Sequence, residues 1–148
     1  MILRHPLALL ALVLLLPLAA RADEPMIYAS NGQAIQGYDT VAYFTDGKAV
    51  KGDLRYSVMW KGAIWLFASA QNRELFEANP RGYAPRYGGY CAYGMARGRV
   101  VGSTPETWSI RDGRLYLVNG SAIAARWQKD AEAEIALANA NWPAALAR

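Results

Sequence analysis

The stretch RGYAPRYGGYCAYGM, residues 81–95, constrains this chain more than any other. Its tyrosines at 83, 87, 90 and 93 are four, three and three apart, a rhythm that would line all four rings along one helical face. Pro85 and the Gly88-Gly89 pair deny it that helix, because proline lacks a donor and glycine raises the entropy lost on ordering. What remains is an irregular, ring-rich loop that folds back on the domain. Either the rings cover a small core, the usual fate of aromatic side chains, or they line a ligand site. The rest of the chain reads as the scaffold that holds this loop.

That scaffold is built from hairpins. Residues 26–29 and 34–36 are short strand candidates about an Asn31-Gly32 turn, and 41–44 is an apolar, strand-like run leading into Asp46-Gly47, a hairpin-turn pair from which Ala49 and Val50 begin the return. The clearest hairpin joins residues 56–60 to 63–67 through Lys61-Gly62. Ser69 then caps a helix over residues 70–78, with Leu75 and Phe76 toward the sheet and Pro80 as its stop. A further hairpin, 107–111 with 114–118, turns at Asp112-Gly113 and offers Trp108, Ile110, Leu115 and Leu117 to the core. Beyond it, Asn119 or Ser121 caps one long helix to about residue 139. Its apolar residues Ile123, Trp127, Ala131 and Ile135 fall at steps of four, docking it across the sheet, and Trp142 and Pro143 end it. The expected class is α+β: a small antiparallel, hairpin-built sheet packed by a short helix and a long C-terminal helix.

Residues 1–22 have the pattern of a cleaved secretory signal peptide: Arg4 and His5, an apolar run over 7–16, a break at Pro17, then Ala20-Arg21-Ala22 before the cut. The run is short of the ~20 residues a bilayer span needs, so no stable membrane insertion is expected after cleavage. The mature chain, residues 23–148, is expected to be a single periplasmic or secreted domain, long enough to bury about two thirds of its unfolded surface. Without Arg4 and Arg21 the 16 basic residues fall to 14 against 12 acidic ones, a formal +2. Arg81, Arg86, Arg97 and Arg99 near the tyrosines are read as a solvated face, and no nucleic-acid partner is expected of an exported protein.

The run WKGAIWLFASAQNRELFEANPRGY, residues 60–83, resembles the YHS domain, with Gly62, Phe67, Ser69, Phe76, Pro80 and Tyr83 at the matching places. GYDTVAYF at 37–44 looks like that family's opening strand, which in metal-binding members reads Asp-Pro-Val-Cys-Gly-Met. Over residues 37–142 the chain is similar to the exported branch of YHS proteins, which share the GGYCAY segment and a terminal helix ending near Asn-Trp-Pro. The resemblance implies the fold, and it implies soft or borderline metals held by cysteine and histidine. At the matching positions stand Ala42, Ala68 and Asn72: alanine offers no ligand atom, and an amide oxygen is a hard, weak one.

The remaining chemistry is sparse. Cys91 is the sole cysteine and cannot form an internal disulfide, while the sole histidine, His5, leaves with the leader. A nucleophilic Cys91 would want a base that is not there, and covalent haem would need C-x-x-C-H, so a non-catalytic binding module is expected. The favoured ligand is a soft metal such as Cu(I), held by Cys91 and Met95 with help from Met26 or Met59. The alternative is an aromatic pocket of Tyr83, Tyr87, Tyr90, Tyr93 and Cys91 with Trp60 or Trp65, taking an organic cation, a flat apolar molecule, non-covalent haem or a protein partner.

Overall fold

The computed structural model describes residues 23–147; the leader and His5 lie outside the described residues. Three hairpins supply the strands. β1 (Ala29–Ser30) pairs antiparallel with β2 (Gln33–Ala34), β3 (Asp53–Trp60) with β4 (Ala63–Phe67), and β5 (Trp108–Arg111) with β6 (Arg114–Leu117). Each turn is a pair of left-handed residues, φ 51° and 77° at Asn31-Gly32, 48° and 78° at Lys61-Gly62, 48° and 69° at Asp112-Gly113. Two consecutive positive φ angles match the right-handed strand twist, which is why asparagine, aspartate and glycine marked the turns in the sequence.

The strands form two sheets rather than one. A four-stranded sheet runs β1-β2-β4-β3 and includes a parallel pairing of β2 with β4 through Gln33 and Ile64, so it is mixed; β5 and β6 stand apart as a two-stranded sheet. The α+β class holds, while the purely antiparallel single sheet does not.

Residues 41–44 are not a strand. They open α1 (Ala42–Thr45), because the Asp39 carboxyl accepts from Val41 N at 2.8 Å and Ala42 N at 3.2 Å, satisfying two donors that a helix start leaves orphaned. Asp46-Gly47 consequently ends a helix instead of turning a hairpin: Asp46 N donates to Ala42 O, and Gly47 takes φ 65° just beyond. The helix α2 (Ala70–Ala78) follows its Ser69 cap as expected, Ser69 Oγ accepting from Asn72 N at 3.1 Å, with Phe76 wholly buried. Pro80 stops it by starting α3 (Pro80–Tyr83), the position where a proline's missing N–H costs nothing.

The expected long C-terminal helix is two helices, α5 (Ser121–Lys129) and α6 (Ala131–Asn141). Asp130 breaks it at φ −152°, ψ 59° and caps α6, accepting from Ala133 N. Neither Asn119 nor Ser121 caps α5. Gly120 occupies that position at φ 82°, and the Asn119 amide donates instead to Gly102 O at 2.9 Å. Trp142 and Pro143 do end α6.

Two apolar cores result. Trp65, Phe67, Phe76, Tyr43 and Val41 fill the first, beneath the four-stranded sheet; Tyr87, Tyr90, Met95, Trp127 and Ala138 fill the second, where α5 and α6 close on the tyrosine segment instead of crossing the large sheet. β6 separates them, its alternation sending Leu115 and Leu117 into the first core and Tyr116, with the adjoining Val118, into the second.

Candidate functional site

The three positions at which the resemblance implies metal ligands do converge, but on a carboxyl group. Asp39, wholly buried, accepts through Oδ2 from Ala68 N at 2.8 Å and Asn72 Nδ2 at 2.7 Å, and through Oδ1 from Val41 N and Ala42 N. Four donors fill the acceptor capacity that a metal ion would otherwise use. Asp39 therefore acts as a tie between α1, the end of β4 and α2. Sequence reasoning missed it, although an aspartate two residues before an apolar run is itself a helix-start signal.

The segment from Tyr83 to Met95 is three short helical pieces: the end of α3, a 3-10 turn over Arg86–Gly89, and α4 (Ala92–Met95). Its irregular, folded-back course agrees with the sequence reading. Tyr87 at φ 56° and Gly88 at φ 62° reverse the chain, and the four rings diverge. Half-buried Tyr83 sits in the first core, edge-on to Phe44 at 5.4 Å. Tyr87 is buried in the second and donates its hydroxyl to Asn139 Oδ1 at 3.0 Å; burial pushes that phenol up to about 12. Tyr90 donates to Pro25 O at 2.9 Å beside the Tyr28 ring, and burial raises it too. Tyr93, partly buried, turns to a different face and lines a cleft. Trp60 and Trp65 pack with Phe76 on the sheet, so these rings and the four tyrosines do not enclose one common pocket.

Cys91 caps α4, its Sγ accepting from Gly94 N at 3.4 Å, and Met95 N donates to Cys91 O at 2.9 Å one turn later. Met95 is wholly enclosed in the second core, while Met26 and Met59 lie exposed on other parts of the surface. Among the described residues no group of three or more histidine, cysteine, aspartate or glutamate side chains is placed to hold a metal ion.

Cys91 and Tyr93 line a cleft of about 660 Å³, together with Arg97, Arg99, Ile123 and Arg126. Arg97 lies 3.4 Å over the Tyr93 ring and forks onto Glu134 at 2.7 and 2.9 Å, a bidentate pair whose hydrogen bonds raise the guanidinium above its ordinary range. Glu134 thus neutralises one cation and clamps the ring. Arg99 and Arg126 make no ion pair among the described residues, so the cleft keeps a positive wall. None of the arginines was assigned to a cleft from the sequence, because α5 and the 99–101 segment meet Tyr93 only in the folded chain.

Sheet, short helix and a cleft-bearing helical cap define a small α+β domain. A family model for the YHS domain matches residues 41–87, and the chain is a YHS domain-containing protein. No match was found among curated proteins or among solved structures. The matched span covers the Asp39 tie's partners and most of the first core, and it stops short of Cys91.

Proposed function

We propose that the protein is an exported, non-catalytic YHS-domain binding module whose ligand enters the cleft at Cys91 and Tyr93. The observation that carries this reading is the cleft itself: about 660 Å³ falls within the usual size of small-molecule sites, and it combines a tyrosine ring and apolar Ile123 and Val101 with two unpaired arginines. Such a lining suits a flat apolar molecule bearing acidic groups and disfavours the organic cation. Export rests on the leader pattern, and N-terminal sequencing of protein recovered from the periplasm or medium should begin at Asp23. No described helix is long and apolar enough to cross a membrane. The absence of histidine after residue 22 leaves Cys91 without the usual partner for thiolate chemistry.

A thermal-shift screen of flat organic acids tests the site. Hits should stabilise the wild type and fail on Tyr93→Ala and Arg126→Ala; hits indifferent to both substitutions would refute it. A Cu(I) ion on Cys91 is the second reading, favoured by the thiol's place on the cleft wall, with Met95 enclosed in the core behind it. Elemental analysis of natively purified protein and competition with a chromophoric Cu(I) chelator decide it: affinity unchanged in Cys91→Ser discards the copper site.

A further inference from the structure

A second hollow, of about 290 Å³, lies at the other end of the tyrosine segment, and four cations meet there. Lys61 comes from the β3–β4 turn, Arg81 from α3, Arg86 from the 3-10 turn and Arg114 from the first residue of β6. The tips of two hairpins and the segment joining the two cores thus aim positive charge at one place, and no acidic side chain lines it. Ion pairs among the described residues join Arg55 to Asp53, Arg73 to Glu77 and Arg97 to Glu134, which leaves these four cations without a carboxylate partner, although Lys61 lies over the Trp60 ring at 4.8 Å and Arg86 over Tyr87 at 5.8 Å. The Arg86 Nε is also buried without a hydrogen-bond partner, although its Nη2 reaches Asn139 Oδ1 at 3.4 Å. Like charges repel, so a fold that gathers four cations with no carboxylate among them is poised for an anion to relieve them. Trp60, Trp142 and Tyr87 supply flat apolar faces around the charges.

We propose that this hollow is an anion site for a small aromatic phosphate ester or carboxylate, distinct from the Cys91 cleft. The acidic group sits between Arg86 and Arg114, where a planar guanidinium can bind two oxygens at once, and the ring lies against Trp60 or Trp142. The hollow is at the lower end of small-molecule volumes, which selects a single ring over a larger body.

Isothermal titration of the full mature protein with phenyl phosphate tests this, with inorganic phosphate, neutral phenol and anionic phospholipid vesicles as comparators. Phenyl phosphate should bind saturably and more tightly than inorganic phosphate, phenol should not bind, and added salt should weaken the complex. Arg114→Gln, at an exposed position that leaves the fold intact, should weaken binding about tenfold or more, and Arg86→Lys, which keeps the charge and loses the fork, should do likewise. Lys129→Gln, outside the hollow, should change nothing. The site is refuted by no saturable heat at millimolar phenyl phosphate, by binding that survives the Arg86→Lys, Arg114→Gln pair, or by phenol binding as well as its phosphate. Vesicle binding that follows the same variants while phenyl phosphate stays silent would overturn the small ligand in favour of a membrane surface.

Discussion

The two cores of this molecule share ring packing and phenol anchors but lean on them differently. In the first, under the four-stranded sheet, rings meet rings: Trp65 stacks on Phe76 at 5.0 Å, Phe67 meets Phe76 at 5.1 Å, one buried carboxyl ties the ends of three elements, and buried Tyr43 donates its hydroxyl to Pro105 O at 2.8 Å. In the second, phenols are anchored by their hydroxyls to distant carbonyl and amide oxygens, Tyr87 to Asn139 and Tyr90 to Pro25. Area burial tolerates imperfect geometry, whereas an anchored hydroxyl needs its partner in place. The first core therefore reads as the stable base and the second as the adjustable part, and both candidate ligand sites border the second.

Removing the carboxyl tie should separate the cores most sharply. Asp39→Ala leaves three backbone donors and the Asn72 amide unmatched in a buried place, and a loss of about 3–5 kcal/mol is expected from chemical denaturation. A loss under about 1 kcal/mol would show that water replaces the carboxyl and that the tie is incidental. Gly88→Ala strikes the second core: the new Cβ would run into the Met26 carbonyl at a φ of 62°, so roughly 3 kcal/mol should be lost. Because Gly88 and Met26 both line the four-cation hollow, phenyl phosphate binding should fall with it while the Asp39 network stays intact. Amide exchange at Val41 and Ala68 reports that network separately.

Legibility in the sequence divides along the same line. The hairpins about Lys61-Gly62 and Asp112-Gly113 and the Ser69-capped helix were readable because turn, strand and cap are local, each determined within a few residues. Residues 41–44 misled because their apolar run fits a strand equally well, and only the side chain of Asp39, itself held by Ala68 and Asn72 some 30 residues on, selects the helix. The break at Asp130 was hidden by an uninterrupted apolar period, since Trp127 and Ala131 both stay buried across it. Neither hollow could be found by pattern. Arg86 and Arg114 become neighbours only because β6 packs on the 3-10 turn, and Tyr93 and Arg126 only because α5 reaches the tyrosine segment.

Alkaline pH offers a smaller and graded test of the comparison. Tyr87 keeps its proton to about 12 in the folded chain against 10.0 for a free phenol, because burial disfavours the phenolate, and Tyr90 is shifted in the same direction. Between those values the unfolded chain has released a proton that the folded one retains, so stability present below pH 10 declines as pH climbs toward 12. Tyr87→Phe should flatten that decline in a series of urea melts. A slope unchanged by the substitution would place the alkaline sensitivity elsewhere, with buried Tyr43 of the first core, also raised by burial, as the next residue to replace.

The mildest change is Tyr90→Phe, which deletes one hydrogen bond and leaves the ring in place beside Tyr28. About 1 kcal/mol of stability should be lost, in keeping with a single neutral bond. Its more telling effect is local. The bond to Pro25 O fastens residues 24–28, whose other backbone ties are Glu24 N to Leu146 O and Tyr28 N to Gly88 O, each at 2.9 Å. Freed of it, this strap should open more often, and cleavage near Met26 under limited proteolysis should quicken while the strands of the first core stay protected. Equal acceleration in both regions would mean that the cores unfold as one unit and that the division between a fixed base and an adjustable cap is wrong.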